Sequence, residues 1–295
     1  MTTSLASRLT YRIPLPGGRV LELGGRPLVM GVLNVTPDSF ADAGHLSDPS
    51  QAVAAALEIE AGGADLIDIG GESTRPGAEP LDAETEIARV APVVEALHGR
   101  LRIPISVDTY KARVADVALE AGAAMINDIS GLQYEPALAS VVARRGAALV
   151  LMHTRGRSKN MYAEAEYGDV LADVAAELGE SLACATEAGV RREQIIVDPG
   201  LGFAKRPAHS YGVLARIPEL AAALGRPLLV GPSRKSFLRA AIGDRPAPER
   251  DWATAGAVAA AVLFGAHIVR VHAVPQMADV VRVADAIRAS RLADA

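Results

Sequence analysis

The stretch PLVMGVLNVTPDSFADAG, residues 27–44, begins as a strand and ends as something else. Leu28, Val29, Met30, Val32 and Leu33 make a short apolar run of the kind buried on both faces. Asn34, Thr36, Pro37, Asp38, Ser39 and Phe40 follow at once. A buried strand that ends in an amide, a proline, an acid, a hydroxyl and an aromatic ring is delivering chemistry to an edge. Seven more apolar runs share its character: DLIDIGG from 65, IPISVDT from 103, AMINDIS from 124, AALVLMH from 147, QIIVDPG from 194, PLLVGPS from 227 and HIVRVHA from 267. Amphipathic stretches such as SQAVAAALEIEAGG and KARVADVALEAGA lie between them, and AGGAD, EAGAA, RRGAA, EAGVR and FGAHI place glycine where a helix C-terminus favours it. Eight buried strands alternating with helices predict an α/β fold, a (β/α)8 TIM barrel. An open doubly wound sheet would offer a glycine fingerprint after its first strand, and VLNVTPDS is not one. The segment YRIPLPGGRVLELGG, with its Pro-Gly-Gly turn between apolar stretches, predicts an N-terminal β-hairpin closing the bottom of the barrel. The chain, 1–295, reads as a single domain with its core at about 28–290.

The composition suits one large core, since half of the 295 residues are hydrophobic. A net charge of -5 argues against a general nucleic-acid binder, yet leaves room for an anionic substrate at a local basic site. One cysteine, Cys184, allows no internal disulfide and fits a reducing, cytoplasmic setting. The opening MTTSLASRLTYRI has no long apolar region of the signal-peptide type. The run AGAVAAAVLFGAHIVRV, 255–271, is split by Gly265 and carries His267 and Arg270, so it predicts a buried helix and then a buried strand, not a membrane span.

In such a barrel the C-terminal strand ends, with the loops after them, build the active site. Strand by strand these ends offer Asn34; Asp68 before GGESTRPGA; Asp108; Asn127 and Asp128; His153; Asp198 and Pro199; Ser233, Arg234 and Lys235; and Arg270 with His272. One buried acid at a strand end is commonly a local cap, but polar groups on all eight are hard to explain that way. Asp108, Asn127 and Asp198 would pair well with a ring carrying an amino-substituted amide edge. Arg270, His272, Asn34 and the hydroxyls of Ser73 and Thr74 have the character of anion binders, and Asn34 could contact a hydrated Mg²⁺ shared with phosphates. Lys235 suits either a Schiff base or a fixed cation facing a ring nitrogen or carbonyl. The first two loops, VTPDSFADAG and GGESTRPGAEP, mix glycine and proline with Phe40 and Arg75 and suit lids that exclude water.

NVTPDSF, GGESTRPGA, ISVDT, INDISG, VLMH, DPGLGF, GPSRKS and RVH occur in that order at barrel spacing. As an ordered set, covering roughly 28 to 290, they closely resemble the dihydropteroate synthase family of folate biosynthesis. The resemblance implies condensation of 6-hydroxymethyl-7,8-dihydropterin diphosphate with p-aminobenzoate to 7,8-dihydropteroate and pyrophosphate, through early loss of diphosphate and a resonance-stabilised pterin cation. It implies a pterin pocket of Asp108, Asn127, Asp198 and Lys235 lined by Met152, Phe203 and Gly231. It implies a diphosphate and Mg²⁺ site of Asn34, Arg270 and His272 with Thr74 and Arg75, and a p-aminobenzoate pocket of Phe40, Pro76, Ser233 and Lys235. Asp38 would help hold the metal or the closed loop. Catalysis would fall to Asp198, Lys235, Arg270 and His272. A sulfonamide target and a homodimer are further implications.

The sequence departs from the family pattern at Ala41 and Ala43, in SFADAG where SFSDGG is common, at Ala273 where an aspartate is usual, and at Pro232. Rival readings are a pterin-binding methyltransferase barrel, with less use for a diphosphate site; a non-catalytic pterin sensor; and a Schiff-base aldolase, which leaves the anion-binding ends without a role. The final helix carries the stripe Val280, Val283, Ala284 and Ile287, whose spacing predicts packing against the barrel.

Overall fold

The computed structural model describes residues 8–36, 49–73, 77–157, 159 and 161–293. Its first strands, β1 (Tyr11–Pro14) and β2 (Val20–Leu23), pair antiparallel as the predicted hairpin. The barrel strands follow as β3 (Leu28–Asn34), β4 (Leu66–Gly70), β5 (Ile105–Asp108), β6 (Met125–Asp128), β7 (Ala148–Met152), β8 (Ile195–Asp198), β9 (Leu229–Val230) and β10 (Ile268–Val271). They form one parallel sheet in the order β8-β7-β6-β5-β4-β3-β10-β9. A parallel bridge from Val197 to Leu228 brings the two ends together, with Val197 N–H donating to the Pro227 carbonyl at 3.0 Å. The sheet is thereby closed into the expected barrel, although β9 is only two residues long.

Helices cover the outside: α1 (Pro49–Ala61), α2 (Ala83–Leu97), α3 (Ala112–Glu120), α4 (Ala137–Arg145), α5 (Val170–Glu187), α6 (Pro207–Ala215), α7 (Ile217–Leu224), α8 (Arg239–Ile242), α9 (Asp251–Leu263) and α10 (Val274–Ala293). Their boundaries follow local chemistry. Asp82 and Asp169 accept backbone N–H groups at the starts of α2 and α5, and Gly146 ends α4 at φ 63°. The apolar run at 255–271 divides between α9 and β10. Among the described residues no helix is long and apolar enough to cross a membrane.

Two cores result from the period-2 alternation of the strands. Val29, Leu33, Ile67, Ile69, Val107, Ile126, Leu149 and Val269 face the helices. Leu28, Met30, Leu66, Met125, Val150, Ile196, Leu229 and Ile268 fill the barrel together with Ile13, Leu15, Leu21 and Leu23 of the hairpin. The hairpin plugs the bottom, and each buried aliphatic side chain contributes roughly 1.5–3 kcal/mol. The upper half of the barrel interior is left to polar groups.

Two expectations need correction. On α10, Met277, Ala278, Val281 and Ala284 are buried, whereas Val283 and Ile287 are 61% and 50% exposed. Of the predicted stripe Ala284 is buried and Val280 packs against the core, while Val283 and Ile287 lie a step around the helix from the face that meets the barrel. Nor do all eight strand ends face the interior. Asp128 follows inward Asn127 and so points outward, where it accepts N–H groups from Ser130 and Leu132. His153 follows Met152 and binds Glu177 of α5.

Candidate active site

Register builds the site. Asn34 of β3 pairs with Gly70 of β4, Gly70 with Asp108 of β5, and Asp108 with Asn127 of β6. On the other side Met152 of β7 pairs with Asp198 of β8. The inward side chains of these rows meet Arg270 of β10. Its Nε donates to Asp68 Oδ2 at 2.7 Å and its Nη2 to Asp108 Oδ2 at 2.9 Å. Asn127 Nδ2 donates to the same Asp68 oxygen at 2.9 Å. That bond fixes the amide, so Asn127 Oδ1 is buried without a protein partner among the described residues and is left to accept from a ligand.

Asp198 is 3% exposed and uses Oδ1 to accept Gly200 N–H at 2.7 Å. Its Oδ2, Lys235 Nζ and the stem of Arg270 all surround Gly231, lying 3.9, 3.7 and 3.7 Å from where a β-carbon on that residue would sit. A side chain at this position would intrude on the space where these groups converge. Lys235 Nζ also lies 4.6 Å from the ring centroid of Phe203, which is half-buried. Met152 is buried below.

Burial and charge set the protonation of this cluster. Burial raises Asp108 to about 7, against the pull of Arg270 and with the push of Asp68. Burial also raises Asp198, opposed first by Lys235. Burial lowers Lys235 to about 8, although Asp198 favours its charged form. Arg270, despite burial, is held cationic by Asp68 and Asp108.

Lys235 reaches inward because Arg234 turns the chain. Arg234 has φ 58°, which a side-chain-bearing residue adopts only when held. Its N–H donates to Thr254 Oγ1, and its guanidinium binds both oxygens of Asp251 at 2.7 and 2.8 Å. Arg234, a strand-end cation in the sequence, is therefore a strap on α9. Ser233 Oγ accepts the backbone N–H of His272 at 3.2 Å and lies 2.8 Å from His272 Nδ1. If the hydroxyl donates to Nδ1, the neutral imidazole carries its proton on Nε2.

Asp108, Asn127, Met152, Asp198, Phe203, Gly231, Lys235 and Arg270 are thus brought together, with His272 and Ser233 beside them and Asn34 at the rim of β3. Phe40, Thr74, Arg75 and Pro76, with Asp38, Ala41 and Ala43, lie outside the described residues. Ser73 is exposed. Sequence reasoning noted Asp68 but gave it no role; its inward parity with Leu66 and Gly70 was the available signal. It also passed over Lys205, two residues beyond Phe203. The loop after β4 is anchored at its start by Glu72, which binds Lys111 and the Tyr110 hydroxyl.

Residues 30–272 match the family model described as pterin binding enzyme. A dihydropteroate synthase of Synechocystis is 47% identical over 276 residues, covering 93% of this chain and 95% of the relative. The Xanthomonas albilineans dihydropteroate synthase structure with 4-aminobenzoic acid superposes with a TM-score of 0.87 at 40% identity, covering 95% of this chain and 99% of that one. The Burkholderia cenocepacia enzyme complexed with 7,8-dihydropteroate has a TM-score of 0.85 at 42% identity, covering 96% and 98%.

Proposed function

The chain belongs to the pterin-binding enzyme family, as a dihydropteroate synthase of folate biosynthesis, and we propose that the inward row at the top of its barrel carries out that condensation. The observation that carries the assignment of roles is the convergence of Asp198, Lys235, Arg270 and the unpartnered Asn127 carbonyl around Gly231. Asp198 Oδ2 and Asn127 Oδ1 accept N–H groups of the pterin edge, and Asp108 accepts a third. Lys235 donates to the ring from the side of Phe203. Met152 supplies an apolar floor.

The carbon–oxygen bond to diphosphate breaks, and its electron pair leaves with the diphosphate. Negative charge develops there and positive charge on the ring. Arg270 keeps Nε and Nη2 on its two carboxylates, which orients the guanidinium and leaves Nη1 for a diphosphate oxygen. His272, held through Nδ1 by Ser233, donates from Nε2. The carboxylate of Asp198 faces the developing cation. The arylamine lone pair then forms the carbon–nitrogen bond, and the proton leaves the nitrogen afterwards, so no strong base is required. Ser233 and Lys235, with Phe40 and Pro76, form the arylamine side; Thr74 and Arg75 add to the diphosphate side.

Asn34 fits Mg²⁺. It ends β3 half-buried at the rim, and an amide oxygen is a hard donor to an ion that takes its other ligands from water and phosphate oxygens. Bound there, the ion would supply charge neutralisation on the leaving group.

The test is synthesis. Purified protein given the pterin diphosphate, p-aminobenzoate and Mg²⁺ makes dihydropteroate, and Asp198→Asn loses about 10²–10³-fold in kcat with its fold intact. Undiminished product from that variant would overturn the site. We also infer a homodimer, supported by the exposure of Val283 and Ile287 on α10; a monomeric mass in sedimentation at micromolar concentration would contradict it.

A further inference from the structure

Among the described residues Lys205 heads the largest fully buried side chains, at 1% exposure, and the condensation as described makes no use of it. Burial pushes its pKa well below the usual lysine value, and a buried amine is retained only where its hydrogen bonds are met. Lys205 Nζ meets His153 Nδ1 at 2.7 Å and donates to the Phe203 carbonyl at 3.1 Å. His153 in turn places Nε2 3.0 Å from Glu177 Oε2 of α5, and Glu177 is bound by Arg155. Burial keeps the His153 imidazole neutral, lowering it to about 4, and the Glu177 carboxylate beside Nε2 can only accept, so the ring's one proton sits on Nε2 and Nδ1 accepts from Lys205. The result is an ordered chain from the outer helix to the pocket wall: Arg155, Glu177, His153, Lys205 and the Phe203 carbonyl.

The loop at 199–206 needs such an anchor. Ala204 has φ 47°, and its carbonyl is held by the Tyr167 hydroxyl at 2.9 Å. Gly200 presses so closely on β7 that a β-carbon there would lie 1.9 Å from the His153 carbonyl. The same loop begins at Asp198 and carries Phe203, the ring beside Lys235.

We propose that Lys205, clamped by His153 from behind, is a positioning residue for the pterin half of the reaction, setting where the Phe203 ring and the Asp198 carboxylate meet the substrate. Lys205 touches neither substrate; it acts through the loop. This rests on the proposed function, because the groups it positions are the proposed pterin contacts.

Separate saturation curves for the two substrates test it, alongside thermal melts. Lys205→Met keeps the length and removes the donor. It raises KM for the pterin diphosphate about tenfold or more and lowers kcat, while KM for p-aminobenzoate stays within about twofold. His153→Leu moves the same way. His153→Asn, which returns an acceptor to Lys205, recovers most of the loss. Variants that melt lower but keep wild-type kcat and both KM values per folded molecule would overturn the role, as would equal rises in both KM values. If Lys205→Met does not fold, the His153 pair decides on the same readings. Wild-type protein that makes no dihydropteroate would instead count against the proposed function.

Discussion

Asp68 holds two site residues with one oxygen, accepting from Arg270 and from Asn127, and it is fully buried. A carboxylate is needed there: a neutral amide would weaken the ion pair to Arg270 and offer its own N–H to Asn127, which could then turn over. Asp68→Asn is expected to lower kcat/KM for the pterin substrate about 10–100-fold, seen in steady-state kinetics, with the larger part in pterin KM. Unchanged pterin KM would show that Arg270 and Asn127 are held without it. A second consequence concerns pH. Asp108 is raised to about 7 and Lys235 lowered to about 8, so the form of the free protein in which both are charged occupies a narrow window between them. Below it the Asp108 carboxyl takes up a proton and loses the charge that pairs with Arg270; above it Lys235 loses its charge. The profile of kcat/KM against pH should be a bell with limbs near those values, belonging to the coupled cluster rather than to either group alone. Lys235→Arg should carry the alkaline limb upward, since a guanidinium stays charged. A flat profile across both limbs would contradict this arrangement.

At the scale of elements, α10 shows a place where chemistry has been removed. Met277 N–H donates to the Ala273 carbonyl at 3.0 Å, which makes Ala273 the residue capping the start of α10. Alanine offers no side-chain acceptor to the first turn. Ala273→Asp should stabilise the protein by about 1 kcal/mol in urea unfolding. A neutral or destabilising result would mean the carboxylate is repelled within the site rather than used as a cap. This position also shows what the sequence could and could not convey. The strand runs, the glycine stops and the hairpin were legible because burial parity and helix termination leave local signatures. Asn127 and Asp108 were legible for the same reason, being the inward residues at strand ends. Asp128 and His153 were misplaced by one step of the same alternation, and Val283 and Ile287 by one step around a helix. Lys205 and Asp68 were hidden more deeply. Their roles come from contacts distant in sequence, 52 positions away to His153 and 202 positions away to Arg270, and no local pattern marks such pairs.

For the whole molecule the barrel divides labour by height. The hairpin and the lower interior are apolar and fixed, and the upper interior is a charged cluster in which acids and bases are kept apart by only a few ångströms. Closure of the sheet at Val197 and Leu228 gives that cluster rigid walls, so its charges are oriented before substrate arrives. Such a site can stabilise separated charge as a bond to diphosphate breaks, and has no need of a nucleophilic side chain. Lys235 lies between Asp198 and Phe203, and a Schiff-base site would leave the neighbouring Arg270 and His272 without a role. The most direct test is pyrophosphate release from purified protein with the pterin diphosphate and Mg²⁺, measured with and without p-aminobenzoate. The account predicts release, accompanied by dihydropteroate when the arylamine is present and much slower without it. No release under either condition, with the pterin still bound, would contradict the claim that this cluster drives departure of the diphosphate.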